Sequence, residues 1–172
     1  RADVRQDAIE PSGVLWQRLA IGGVEIDESQ HGTVRLFPSM KCGDALLRAV
    51  ILGYDIGFRF HQAFEPRSTS FGATFGSAAA AGALAELDDL HLRYLISYAA
   101  QQASGSRAWV GDDDHIEKAF DYAAMPARNG VTAALLIQSG FTGNRDVLEG
   151  DQGIVKTYAP CDPAKILSEL GQ

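Results

Sequence analysis

The run SFGATFGSAAAAGALAEL at residues 70–87 constrains this chain more than any other stretch. Thirteen of its 18 residues are Gly, Ala, Ser or Thr. A segment with so little side-chain volume cannot fill a core alone. Bulk must come from its neighbours, whose axes can approach closely, and a helix in the middle of a bundle satisfies both conditions. Ala79→Leu and Ala80→Leu are therefore expected to overpack the interior. The GATFG portion lacks the Gly-Lys-Ser/Thr ending of a phosphate loop, and no strand pattern precedes it, so nucleotide binding is rejected.

Residues 44–64, DALLRAVILGYDIGFRFHQAF, read as a partner helix, with Leu46, Leu47, Val50, Ile51, Tyr54 and Phe58 at helical spacing. Gly53 and Gly57 lie four apart on another stripe, where a second backbone can come close. Residues 88–104 follow with Asp88 or Asp89 as cap and Leu92, Leu95, Ile96 and Ala99 on one face. Pro126 suits a first helical turn and Gly140 a helix end, which brackets 126–139. CDPAKILSELG at 161–171 reads as a short final helix. Residues 1–43 hold Val24, Ile26, Thr33 and Val34, with too little alternation for a hairpin. The fold expected is all-α, an antiparallel multi-helix bundle-like domain over 44–172 behind an unassigned segment 1–43.

The net charge of −7 is spread over short acidic clusters. That argues against nucleic acid, which needs a basic face. It also means that an anionic ligand must be held by a local group of cations. Cys42 and Cys161 form no CxxC pair and read as two thiols of a reducing compartment. The apolar stretch 45–60 is interrupted by Arg48, Asp55 and Arg59, too soon for a membrane span. No signal peptide is recognised at residues 1–10, and a cytoplasmic location is expected.

Two stretches could carry chemistry. In GDDDHIEKAFDYAAMPARNG, residues 111–130, Asp114 and Glu117 resemble a capping box. His115 and Lys118 then lie three apart in the first helical turn, a position that suits a bound carboxylate. A solvated helix start with Lys118 paired to Asp114 accounts for the same residues. A metal site in DDDH is disfavoured, because adjacent side chains diverge and no second ligand cluster is near. In EPRSTSFG, residues 65–72, Arg67, Thr69 and Ser70 precede the small-residue helix. They read equally well as a carboxylate cradle or as ordinary capping. His61 and His91 lie in amphipathic helices and read as packing or surface residues.

The blocks DALLRAVILGYDIGFRF, STSFGATFGSAAAAGALAELD, HIEKAFDYAAMPARNGVTAALLIQSGFTG, VLEG and DPAKILSELG stand in the order seen in the MmgE/PrpD family, which this chain resembles over roughly 44–171. That family includes 2-methylcitrate dehydratase, cis-aconitate decarboxylase and iminodisuccinate epimerase. The resemblance implies a helical domain paired in a homodimer, beside a smaller α/β lid, with the active site in the cleft between them. It implies cofactor-free, metal-free proton transfer next to a carboxylate of a small di- or tricarboxylic acid. A 2-methylcitrate dehydratase-like reaction is the leading expectation. The alternative is a non-catalytic dimerisation module or a paralogue without the lid. Aligned through ARNGV, the family's active-site lysine falls on Lys118, with one extra residue in this chain. Lys118 and His115 become the catalytic candidates, and Arg67, Thr69 and Ser70 the substrate-binding ones. Arg67 stands where relatives place a histidine, so its role becomes anchoring, since a guanidinium does not give up its proton near neutral pH. The Asp/His-bearing segment expected upstream of residue 44 is not recognisable, and the chain stops where the lid is expected to begin.

Overall fold

The computed structural model describes residues 43–65, 69–158 and 160–170. Among these residues all regular structure is helical. Helix α1 is Gly43–Ala63, α2 Thr69–Leu84 and α3 Asp89–Gln102. A 3-10 turn, Ala108–Gly111, leads into α4, His115–Ala119, which continues through a π turn, Phe120–Ala124, into α5, Met125–Gln138. Two single-turn helices close the order, α6 at Ile154–Thr157 and α7 at Ala164–Leu167.

Helix α2 is the small-residue run, and it is central: α1, α3, α5 and the π turn all pack on it. It meets α1 through glycine. A Cβ on Gly72 would overlap the Gly57 carbonyl oxygen, and one on Gly76 would overlap that of Gly53. With no side chains between them, the two backbones touch, and bulk is supplied along the rest of the seam. Phe60 and Phe64 of the α1 end interleave with Phe71 and Phe75 of α2, with the Phe60 and Phe75 rings stacked at 4.0 Å between centroids. All four rings are fully buried. The neighbour on the other side behaves alike, since a Cβ on Gly82 would come within 2.6 Å of Leu95 Cδ2 from α3.

The ends are capped as their residue types dictate. Asp88 accepts the His91 backbone N–H at 2.8 Å at the start of α3. Burial tends to raise the Asp88 pKa, but hydrogen bonds from the His91 backbone and ring outweigh it and hold the carboxyl below its ordinary value. Gly140, at φ +94°, terminates α5 with its N–H on the Ile137 carbonyl, while Phe141 N–H reaches Leu136. The C-terminal segment folds back on α1. Asp162 N–H bonds the Ala63 carbonyl at 2.8 Å, and Lys165 Nζ the Gln62 carbonyl at 3.3 Å. Arg59 is held by Asp55 at 2.9 Å and donates to the Ser168 carbonyl just beyond α7.

Leu46, Leu47, Val50, Ile51, Tyr54 and Phe58 are exposed, whereas Ala49, Ile56, Gly57, Phe60 and Ala63 form the buried face of α1. The glycine stripe sets the rotation of α1 about its axis. Only that side allows backbone contact with α2, and the larger apolar stripe is left outside.

Candidate functional site

The stretch that opens α4 is arranged by one carboxylate. Asp114 accepts the Ile116 backbone N–H at 2.8 Å, and the first helical bond runs from Lys118 N–H to the Asp114 carbonyl at 3.3 Å. The carboxylate is thus engaged as a cap instead of pairing with Lys118. His115 is exposed, and Lys118 is half-buried with no ion-pair partner among the described residues.

After Lys118 the helix widens. Met125 N–H bonds the Phe120 carbonyl, five residues back, and Ala119, Phe120, Ala124 and Met125 keep right-handed helical dihedrals. Pro126 supplies the local cause. Inside a continuous helix it donates no N–H, and its ring would clash with the carbonyl four residues earlier. A turn closed at five residues encloses one residue more than an α turn, and such turns recur at functional sites. It lies between Lys118 and the ARNGV stretch of α5. Ser77 Oγ donates to the Pro126 carbonyl at 2.8 Å, and a Cβ on Gly130 would overlap Ser77 itself. The start of α5 is thereby fixed against the middle of α2. The Trp109 and Tyr122 rings, 5.3 Å apart, pack the 3-10 turn beside the π turn.

The second candidate is divided by the structure. Thr69 is exposed as the first residue of α2, while Ser70 is buried at 4 % exposure and its carbonyl accepts Thr74 Oγ1. Arg67 lies outside the described residues. Thr69 stands at one end of a groove of about 550 Å³ along the α1–α2 seam. Gly53, Gly57, Ala73 and Gly76 line it, with Val50, Tyr54 and Phe58 on the α1 side, His61 near Thr69 and Ala127 from α5. This lining is almost wholly apolar, the wrong chemistry for a polycarboxylate, so the groove and the cationic candidate are separate features. His61, read from sequence as a packing or surface residue, has a buried Nδ1 without a hydrogen-bond partner among the described residues and lies tight against Gly72.

Other chemistry is limited among the described residues. Burial pushes the Cys161 thiol up to about 11, with Asp162 adding to the shift, so it is not a thiolate nucleophile at neutral pH. No group of three His, Cys, Asp or Glu side chains among these residues is placed to hold a metal ion. No described helix is long and apolar enough to cross a membrane.

Comparison with known families gives one match, to the MmgE/PrpD N-terminal domain over residues 24–166. A comparison with curated proteins gives no match. The family match begins 20 residues ahead of Asp44 and takes in Asp27, Glu28 and His31, which lie outside the described residues. Spacing alone leaves those three unassigned, because the stretch around them has neither helical nor strand periodicity.

Proposed function

The chain belongs to the MmgE/PrpD family through its N-terminal helical domain, and on that premise we propose that it supplies the cationic half of a site for a small di- or tricarboxylic acid. The reaction class is lyase or isomerase chemistry that starts with proton transfer at the carbon next to a carboxylate, as in 2-methylcitrate dehydration. In that reaction the C–H pair becomes the new C=C bond, the neighbouring C–O bond breaks, and the departing hydroxide leaves as water after taking up a proton. Lys118 offers the ammonium that holds a substrate carboxylate through the charge build-up. His115, proposed as the proton-transfer group, stands three residues before it.

The observation that carries this reading is the state of Lys118. It is half-buried with no ion-pair partner among the described residues, and Asp114, four residues before it, is engaged in capping the helix.

Calorimetric titration with citrate and with a monocarboxylate of similar size tests the proposal. Saturable citrate binding by the parent, weak monocarboxylate binding, and loss of citrate binding in Lys118→Met are the expected results. Equal citrate affinity in parent and Lys118→Met refutes the assignment.

A further inference from the structure

Two aromatic rings meet beside the Lys118 turn, and neither belongs to the hydrophobic core of the described residues. Trp109 of the 3-10 turn and Tyr122 of the π turn lie 5.3 Å apart between centroids, tilted by 33°. Tyr122 is 42 % exposed and Trp109 half-buried. The 3-10 turn also packs on α4. Lys118 and Tyr122 stand four apart, a spacing that shares one helix face. The wider turn after Lys118 rotates less per residue than an α turn, which brings the two closer to alignment. One face therefore carries His115, Lys118 and Tyr122 in succession, with Trp109 against the last. We infer that the ring pair is a subsite for a flat apolar substituent on the acid that Lys118 holds. The preferred ligand is then an aryl-substituted dicarboxylic acid in place of a compact tricarboxylic one. The inference rests on Lys118 being the carboxylate anchor.

Charge disfavours the more highly charged acid. Residues 112–121 hold five carboxylates, Asp112, Asp113, Asp114, Glu117 and Asp121, against one ammonium, Lys118. None of the five has an ion-pair partner among the described residues. Each further carboxylate on a ligand meets this set at a range well inside the screening length of about 10 Å. Added affinity has to come from uncharged contact, and the rings are placed to supply it. Both turns that carry them are closed by their own backbone bonds. Val110 N–H reaches the Arg107 carbonyl at 3.1 Å, Asp112 N–H the Trp109 carbonyl at 3.2 Å, and Met125 N–H the Phe120 carbonyl. Rings held in this way lose little freedom when a third ring stacks on them. The space beside the 3-10 turn is open as well, since a Cβ on Gly111 would meet nothing within 4 Å.

Calorimetry of the whole 172-residue chain with succinate, phenylsuccinate and citrate tests the subsite. Phenylsuccinate is expected to bind the parent about tenfold tighter than succinate, the worth of one aromatic contact. It is also expected to bind tighter than citrate. The phenylsuccinate-to-succinate ratio should fall toward one in Tyr122→Ala, with the fold checked by circular dichroism. Tyr122→Phe keeps the ring and should keep the ratio, which separates stacking from any role of the hydroxyl. Lys118→Met should lose all three acids. Equal affinity for succinate and phenylsuccinate in a parent that binds citrate overturns the subsite and leaves the Lys118 anchor standing. Citrate bound more tightly than phenylsuccinate overturns the stated preference. A ratio retained in Tyr122→Ala overturns the subsite too, by placing the apolar contact elsewhere. A parent that binds none of the three acids overturns the anchor and the subsite with it.

Discussion

Gly72→Ala isolates the contact on which the architecture rests. The added Cβ would overlap the Gly57 carbonyl oxygen and lie 2.9 Å from both His61 Cβ and His61 N. Ordinary contact begins near 3.4 Å, so α1 must retreat by at least half an ångström along its length. Most of the offending atoms are backbone and have no rotamer to change. Overpacking of this kind costs about 1–3 kcal/mol. Replacing a helical glycine returns roughly 0.5–1 kcal/mol in backbone entropy. The net loss is about 1–2 kcal/mol, which in a domain of this size lowers Tm by roughly 2–8 °C. Gly57→Ala is the matched control. Its Cβ would meet the Gly72 carbonyl oxygen at 3.3 Å, a few tenths too close, and the entropy gain roughly offsets that. Urea midpoints for both variants provide the measurement. A Gly72→Ala protein as stable as the parent, or a Gly57→Ala protein that loses more, would show that the two backbones are not in contact and would refute the reasoning.

Ala78→Leu is expected to cost about 1–3 kcal/mol because Ala78 is fully buried, whereas Ala80→Leu, expected from sequence to overpack, should instead be tolerated because Ala80 is only half-buried and lines the groove; thermal melts of the pair check this. Arg59→Met removes the ties to Asp55 and to the end of α7 and should cost about 1.5–3 kcal/mol, read from urea midpoints, with earlier proteolysis near residue 168. Burial raises the pKa of half-buried Glu149, so its protonated form favours the fold; that contribution is present at low pH and lost as pH rises from the usual carboxylate range through the raised folded value. Glu149→Gln should flatten this fall in a stability–pH profile, while a profile unchanged by the substitution contradicts the assignment. Lys118→Arg should keep citrate binding in calorimetry with Tm close to the parent's, since the charge stays, while Lys118→Met keeps Tm and loses binding.

Much of this protein is determined by local sequence. The helices at 43–63, 69–84, 89–102 and 125–138 follow from periodicity, and Asp88, Asp114 and Gly140 act at helix ends as their chemistry dictates. The centrality of α2 follows as well, because a stripe of Gly, Ala, Ser and Thr has no other way to contribute to a core. Tertiary structure decided what composition leaves degenerate. Helix α1 has two stripes that could face inward, and a hydrophobicity count selects the larger one. The fold uses the smaller, since backbone contact through Gly53, Gly57, Gly72 and Gly76 brings the Phe60, Phe64, Phe71 and Phe75 rings together. The same holds at the candidate site. Spacing places His115 and Lys118 in one turn, and the family order points to Lys118. The π turn that follows them leads into Pro126, whose carbonyl is held by the Ser77 anchor 49 residues away in sequence. A contact of that range is invisible to any local pattern. It exists only because α2 has a side chain small enough there for α5 to lie directly against it.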